Sequence, residues 1–514
     1  MTAAGYIRFG PYRVHPTQGL FRGGAEIRVT PRSLAVLYEL ARRSRQVVLK
    51  SELFDTVWSD TVVSDAALSS CVRELRLALG DDARQPSYIE TLHGRGFRLC
   101  ASGVAESADA ADDELLSRRP SLVVLPFDNV GGDESAAVLA CGLTHDVITL
   151  VARSRTALII ARGTAFRFAK GEHDVRSISD RLGVRYVVQG AVQVSGRRLT
   201  LWVALADART REELWSERYE RRLDDWMLLQ QELAELIVAS VESEVQRAEI
   251  RRATLLPSSN LDAWSAYHRG LSHMYKFREE EWEQAELWFS RSIEMEPGVP
   301  RPWAGLSFVN FERAFLDLGK ERAARIQMAL DCARQAVAID GRDPMAHWAL
   351  SRAHLLKGEL EESKSAVDTA ITLNPSYAIA QYSRGWVGLQ LGENQVCHDR
   401  IGFARRLSPY DPLKFAMLGV SGLNLALMGR TDEAVELARE SLQQANAHYL
   451  VTAFAAVTHA VSGELDQAGR YFSQIRKVSP DFDVDDFLTV FAFQRDRDLK
   501  RVGKAFDDMR KRVN

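Results

Sequence analysis

Three hydrophobic rhythms follow one another along the 514 residues, and each predicts a different architecture. Residues 6 to 29 alternate short β-prone runs (YIRF, YRV, LF, IRV) with Gly10-Pro11, Gly19 and Gly23-Gly24, the pattern of a small antiparallel sheet. Thr30-Pro31 then opens a helix, proline being suited to the first helical turn, with Leu34, Leu37, Leu40 and Ala41 as its buried stripe. Ser51 to Trp58 predicts a second helix. From Ser64 to Leu79 a third carries Leu68, Val72, Leu75 and Leu79 on one stripe at 100° per residue. Ser70, Arg73, Glu74 and Leu77 fall opposite that stripe, with Ser69 and Arg76 flanking it. Tyr88 to Thr91 and Phe97 to Cys100 are β-prone, and the Leu-His-Gly-Arg-Gly between them allows a tight reversal. His93, Arg95 and Arg98 stand on or beside that turn, where cations suit a phosphate backbone or a minor groove.

Residues 102–119 are small and acidic and predict a flexible linker. The second rhythm, over 120–252, is α/β: the apolar run Leu122 to Phe127 suits a buried strand. A helical stretch is expected around Ala136 to Ala152, then the run Ala157 to Ala161, another helix from Val175 to Leu182, strands at Arg185 to Val194 and Leu199 to Asp207, and a long helix from Leu223 to about Arg252. The third rhythm, over 261–514, is a repeat: Pro375 and Pro409, Gly358 and Gly392, Gly429 and Gly463, and Ala434 and Ala468 are each 34 residues apart. About six units run from Leu261 to Pro480, followed by an end helix from about Val484 to Lys511. A single unit cannot bury its own apolar face, so the units must stack into a superhelix. Tyr382, Arg384 and Trp386 are expected to serve repeat packing.

Charge sharpens the division. Residues 1–101 carry 14 Lys/Arg against 10 Asp/Glu, so the net charge of −3 divides into +4 on the first domain and −7 on the rest. That places the basic share on the end with the helix and hairpin. The five cysteines are scattered without metal-ligand spacing, so no zinc site or disulfide framework is expected, and Cys71 reads as a small packed filler. No window approaches about 18 uninterrupted apolar residues, which predicts no membrane span and a cytoplasmic protein. Gly131-Gly132 lacks the rest of a phosphate loop and His145-Asp146 lacks a third catalytic partner, so the first predicts a turn and the second a helix-surface pair. No enzyme and no cofactor are expected.

The strings R-E-L-R-x-A-L-G-D-D and Y-I-E-T-x-x-G-R-G-F, in that order, resemble the OmpR/PhoB class of winged helix-turn-helix transcription factors over residues 6 to 100. The resemblance implies that the third helix enters a major groove of promoter DNA while the hairpin touches the neighbouring minor groove. It carries contacts onto Ser70, Arg73, Glu74 and Arg76 of the helix and Thr91, His93 and Arg95 of the wing. Many members have a basic residue where Glu74 stands; a carboxylate there would accept from a cytosine amine. In relatives the loop spanning Trp58 to Val63 contacts RNA polymerase, which implies an activator. Phosphorelay control is not expected, since no receiver pattern precedes the winged helix. The strings VVLPFDNVGG, GLTHDVITLVAR, LGVRYVVQGAVQ and ELWSERYERRLDD resemble the TolB amino-terminal type of domain, and the 34-residue units resemble tetratricopeptide repeats.

The expected molecule is therefore multidomain, α and α/β: a winged helix-turn-helix domain (1–101), a linker (102–119), an α/β domain (120–252) and an all-α tetratricopeptide-repeat superhelix (261–514). It is similar to one-component invasion-gene activators that join a winged helix to such repeats. Arg73 and Arg76 are expected to supply guanidinium contacts to DNA, and the modest positive charge predicts a homo-oligomer on repeated half-sites. The concave face of the repeats is expected to receive a protein or peptide partner, or to regulate the chain from within. The alternative is a protein-interaction scaffold whose winged helix no longer binds DNA. A signalling enzyme is a third reading, since some cyclases share the middle module, but no cyclase catalytic domain is visible.

Overall fold

The computed structural model describes residues 7–15, 19–22, 25–27, 29–58, 65–83, 86–92, 94–100, 105–106, 120–132, 134–168, 175–223, 226–258, 261–317, 319–444 and 448–513. They form two compact units, 1–117 and 118–514.

The first unit opens with the expected antiparallel strands β1 (Ile7–Phe9), β2 (Tyr12–His15), β3 (Gly19–Arg22) and β4 (Ala25–Ile27). Helices α1 (Pro31–Arg42), α2 (Lys50–Val57) and α3 (Asp65–Leu79) follow, with strand β5 (Val48–Leu49) immediately before α2. The wing is β6 (Ile89–Leu92) paired with β7 (Gly96–Leu99), in a register that sets Thr91 opposite Phe97. Two features depart from expectation. Strand β5 adds a third strand to the wing by pairing with β7. Strand β8 (Ala105–Glu106), within the stretch expected to be linker, pairs with Ile7 and Arg8 as the fifth strand of the first sheet. Leu68, Val72, Leu75 and Leu79 are buried beside Leu37, Leu40, Phe9 and Trp58, so the stripe read from periodicity is the face that packs.

The second unit holds both the α/β region and the repeats. Its sheet is mixed: β9 (Ser121–Val124), β11 (Leu158–Ile159) and β12 (Tyr186–Ser195) run parallel, then β13 (Arg198–Asp207) and β14 (Glu212–Arg222) continue antiparallel. The two-residue strand β10 (Asp128–Asn129) pairs with β12, and Gly131-Gly132 forms the turn after it. Strand β14 was not foreseen. It is a sheet edge of charged residues in which Tyr219 alone is buried, so it lacks the apolar alternation that marks a strand. Helix α4 (Glu134–Ser154) is long and apolar enough to cross a membrane by composition. Here its Leu139, Leu143, Val147 and Val151 are buried in the core under the sheet. His145 lies on its exposed side, and Asp146 accepts from Gln230 at 2.5 Å. Two short helices, α5 (Arg162–Ala165) and α6 (Val175–Leu182), precede β12, and the 30-residue α7 (Trp226–Leu255) packs along α4.

Six antiparallel helix pairs follow, the number expected for the repeats: α8 (Ala263–Met274) with α9 (Glu279–Met295), α10 (Pro300–Leu316) with α11 (Arg322–Ile339), and α12 (Pro344–Leu356) with α13 (Leu360–Leu373). Then come α14 (Ala378–Leu391) with α15 (Asn394–Leu407), α16 (Lys414–Met428) with α17 (Thr431–Leu442), and α18 (Tyr449–Val461) with α19 (Leu465–Val478). Tyr382 and Trp386 are buried in this packing, and Arg384 bonds Asp368 of α13 and Glu393 just past the end of α14. The α/β region and the repeats share core: Ala378 and Leu407 pack into the cluster beneath the sheet, and Tyr186 donates to Glu249, which also accepts from Trp264.

The superhelix is wound tightly enough to touch itself. Phe277 at the end of the first pair's turn meets Phe415 of the fifth pair, ring centroids 5.3 Å apart. Tyr449 of the sixth pair donates to the carbonyl of Leu316 in the second, at 2.8 Å. The expected continuous end helix is broken into α20 (Val484–Val490) and α21 (Asp496–Val513). The break drives Phe491 inward, where it stacks on Trp386 at 5.4 Å and meets Phe454 at 4.3 Å and Phe315 at 5.7 Å. Arg352 lies between the rings of Phe311 and Trp386, 3.9 Å and 4.2 Å from their centroids. These residues from four different helix pairs and the end segment thus pack on one another within the repeat array.

Candidate nucleic-acid interface

Helix α3 is held at both ends and by one side. At its start Lys50 of α2 pairs with Asp65. At its end the Tyr12 hydroxyl donates to the Leu79 carbonyl at 2.7 Å, and Gly80 takes the left-handed conformation (φ 64°) that closes the helix. Asp81 then organises the approach to the wing, its carboxylate accepting from the backbone N–H groups of Ser87, Tyr88 and Ile89 at 2.6, 3.1 and 2.8 Å. This residue was not singled out from the sequence, although an aspartate just past a helix-ending glycine is a recognisable turn signal.

The wing itself depends on two glycines. Gly94 sits at φ 73° in the turn. At Gly96 a Cβ would lie 2.0 Å from the Val48 carbonyl oxygen, so only glycine lets β5 and β7 pair.

The candidate residues separate into three groups. Ser70 and Arg73 are exposed on the outward face of α3, joined there by Leu77, which is 79% exposed. Arg95 is exposed on the wing turn. Among the described residues the side chains of Arg73 and Arg95 form no ion pair or hydrogen bond. Arg76 and Thr91, expected as separate contacts, are bonded to each other: the guanidinium donates to Thr91 Oγ1 and to the Ile89 carbonyl, both at 2.8 Å. Arg76 therefore braces the wing against α3. His93 lies outside the described residues, as do residues 59–63 of the loop expected over Trp58 to Val63.

Glu74, expected among the helix contacts, is engaged within the domain. Its carboxylate reaches the start of α1. It accepts from the Thr30 N–H at 2.7 Å, the Thr30 hydroxyl at 2.8 Å and the Ser33 hydroxyl at 2.5 Å. Burial works to raise its pKa, yet the hydrogen bonds from Ser33 and Thr30 outweigh it and hold the carboxyl below its ordinary value. The negative charge also sits against the positive end of α1, where the helix dipole favours it. A base-reading role would break all three bonds. Arg98, beside the turn, is likewise engaged, its Nε donating to Glu90 at 2.9 Å.

What remains outward is a strip of hydroxyl, guanidinium and apolar groups on a rigidly held helix, with a second guanidinium on the adjoining hairpin. Such a strip suits a major groove, where guanidinium and hydroxyl groups meet base edges and phosphates and an apolar side chain meets a thymine methyl.

Residues 24–99 match the family model described as Transcriptional regulatory protein, C terminal. The chain is 22% identical over 405 residues to the transcriptional regulator HilA of Salmonella typhimurium, covering 78% of this chain and 70% of that protein. It is also 29% identical over 251 residues to "Putative adenylate cyclase 3" of Rhizobium meliloti, covering 49% of this chain and 43% of that one. The chain thus spans less than half the length of the second of these relatives. Among solved structures, the DNA-binding domain of Escherichia coli CadC is similar over 20% of this chain and 100% of its own, with 30% identity and a TM-score of 0.19.

Proposed function

We infer that a chain whose first unit is a winged helix of the transcriptional-regulator type acts as a one-component DNA-binding regulator of transcription. The observation that carries this reading is the exposed strip on α3, in which Ser70, Arg73 and Leu77 face outward with no protein partner among the described residues while the opposite side of the helix is core. Arg73 reaches a phosphate or a guanine edge, Arg95 adds a wing contact, and Leu77 favours a thymine methyl. Arg76 and Thr91 act through the wing's position. Binding as a homo-oligomer on repeated half-sites accords with the small contact area and modest positive charge of a single winged helix, and an activator role with RNA polymerase contact accords with the family resemblance over Trp58 to Val63; a cytoplasmic location accords with the burial of the apolar face of α4 in the core. Non-enzymatic action accords with the absence of a P-loop or nucleophile motif in the sequence.

The test is genome-wide occupancy of the full chain beside Arg73→Ala in the same cells. Discrete peaks sharing a repeated motif, weakened or lost in the variant, are expected. Occupancy indifferent to Arg73, together with no salt-dependent DNA binding by the purified chain, would favour the scaffold reading instead.

A further inference from the structure

Within the second unit, where α7 runs past the repeats, lies a cavity of about 230 Å³. That is room for a small organic molecule or a cluster of waters. Four charged residues line it, and they are not equally satisfied. Arg301 donates from Nε to Asp343 at 3.0 Å and from its terminal nitrogen to the Ser154 carbonyl at 2.6 Å. Arg247 donates to Glu244 at 2.7 Å and to the Tyr410 carbonyl at 3.3 Å. Both guanidinium groups therefore have a carboxylate of their own.

Glu242 and Asp411 do not. Glu242 receives the Asn374 amide at 3.3 Å on each oxygen, and Asp411 receives the Leu413 N–H at 2.9 Å. Among the described residues no cation pairs directly with either carboxyl. Both carboxyls are half-buried on the cavity wall, and a carboxylate withdrawn from water without a counter-charge is costly, a cost that proteins meet with a proton or with a counter-ion. Burial accordingly pushes Glu242 up to about 7 and Asp411 above its ordinary value, against the pull of Arg301 and Arg247. A separate observation points to a missing ligand: the hydroxyl of Ser376, a residue 1% exposed on the same wall, has no hydrogen-bond partner. Tyr267, Tyr275 and Tyr377 complete the lining with ring surface, which attracts a cation.

We propose that this cavity binds a small organic ammonium ion, its charged head shared by Glu242 and Asp411 and facing the tyrosine rings, with Ser376 accepting one N–H. An anion is disfavoured because both arginines already hold carboxylates. The walls come from α7 on one side and from the repeats on the other, so an occupant would clamp the α/β region to the superhelix.

The test uses the full chain without DNA, so its outcome is separate from the regulator reading. Thermal unfolding and calorimetric titration would be followed with methylammonium, butylammonium and 1,4-diaminobutane chlorides, against sodium chloride and sodium acetate at matched ionic strength. At least one amine is expected to raise Tm saturably and to bind with 1:1 stoichiometry, with Kd at least tenfold weaker in Glu242→Gln. Asp411→Asn provides a second, near-isosteric variant should the first fold poorly. The proposal is overturned if no amine gives a saturable shift, if acetate stabilises the chain as well as the amines do, or if every folded variant binds as tightly as the natural chain.

Discussion

A single carboxylate, that of Glu74, joins the outward-facing helix to the start of the first helix of the domain. The pattern of α3 places Glu74 opposite the apolar stripe, and periodicity alone suggests a residue free to read DNA. Its partners, Thr30 and Ser33, are more than 40 positions away in sequence, so nothing local announces the bond. The buried stripe, by contrast, was fully legible, because burial of Leu68, Val72, Leu75 and Leu79 follows from helical geometry itself. Two predictions belong to this scale. Because the folded-state pKa of Glu74 is lowered, its contribution is present above the ordinary carboxyl value of 4.5 and is lost as pH falls below it toward the folded value. Hydrogen exchange of the α1 N-terminal amides should therefore accelerate in the natural chain between pH 5 and pH 3, after correction for intrinsic rates, more than in Glu74→Gln; equal changes would remove the pH argument. Arg73→Ala should weaken DNA binding by about 1–3 kcal/mol for a base contact, or lower the salt slope by about 1 for a phosphate contact. Arg76→Ala should also loosen wing amides in the absence of DNA, which Arg73→Ala should leave unchanged.

Among the elements, those with strong apolar rhythm were recovered to within a few residues, whereas those defined by pairing were not. Strands β5 and β8 contain two residues each and exist only because β7 and β1 offer them free edges. Edge strand β14 carries charge at seven of its eleven residues. The interruption between α20 and α21 is a tertiary decision, since helical residues on either side give way so that Phe491 can enter an aromatic cluster. Gly96→Ala should disrupt the β5–β7 pairing and, with it, DNA affinity, because its Cβ would overlap the Val48 carbonyl; a variant with unchanged melting and unchanged DNA binding would contradict the close approach. Phe491→Ala should cost about 3–5 kcal/mol in urea-induced unfolding of the second unit, the range for removing a buried aromatic side chain.

At the scale of the molecule, regions distinguishable by rhythm at 120–252 and 261–514 are physically one body. Sequence patterns report the period of a segment and are silent about which segments share a core. The consequence can be measured: Val188→Ala under the sheet and Phe308→Ala in the repeats should lower the same calorimetric transition, whereas separate shifts of two transitions would argue for independent domains. The contact between Phe277 and Phe415 has a mechanical meaning as well. An open solenoid extends under load like a coil spring, repeat by repeat. One clasped between its first and fifth pairs stores little elastic strain before the clasp parts, so a pulling force should meet a stiff body and then a sudden yield.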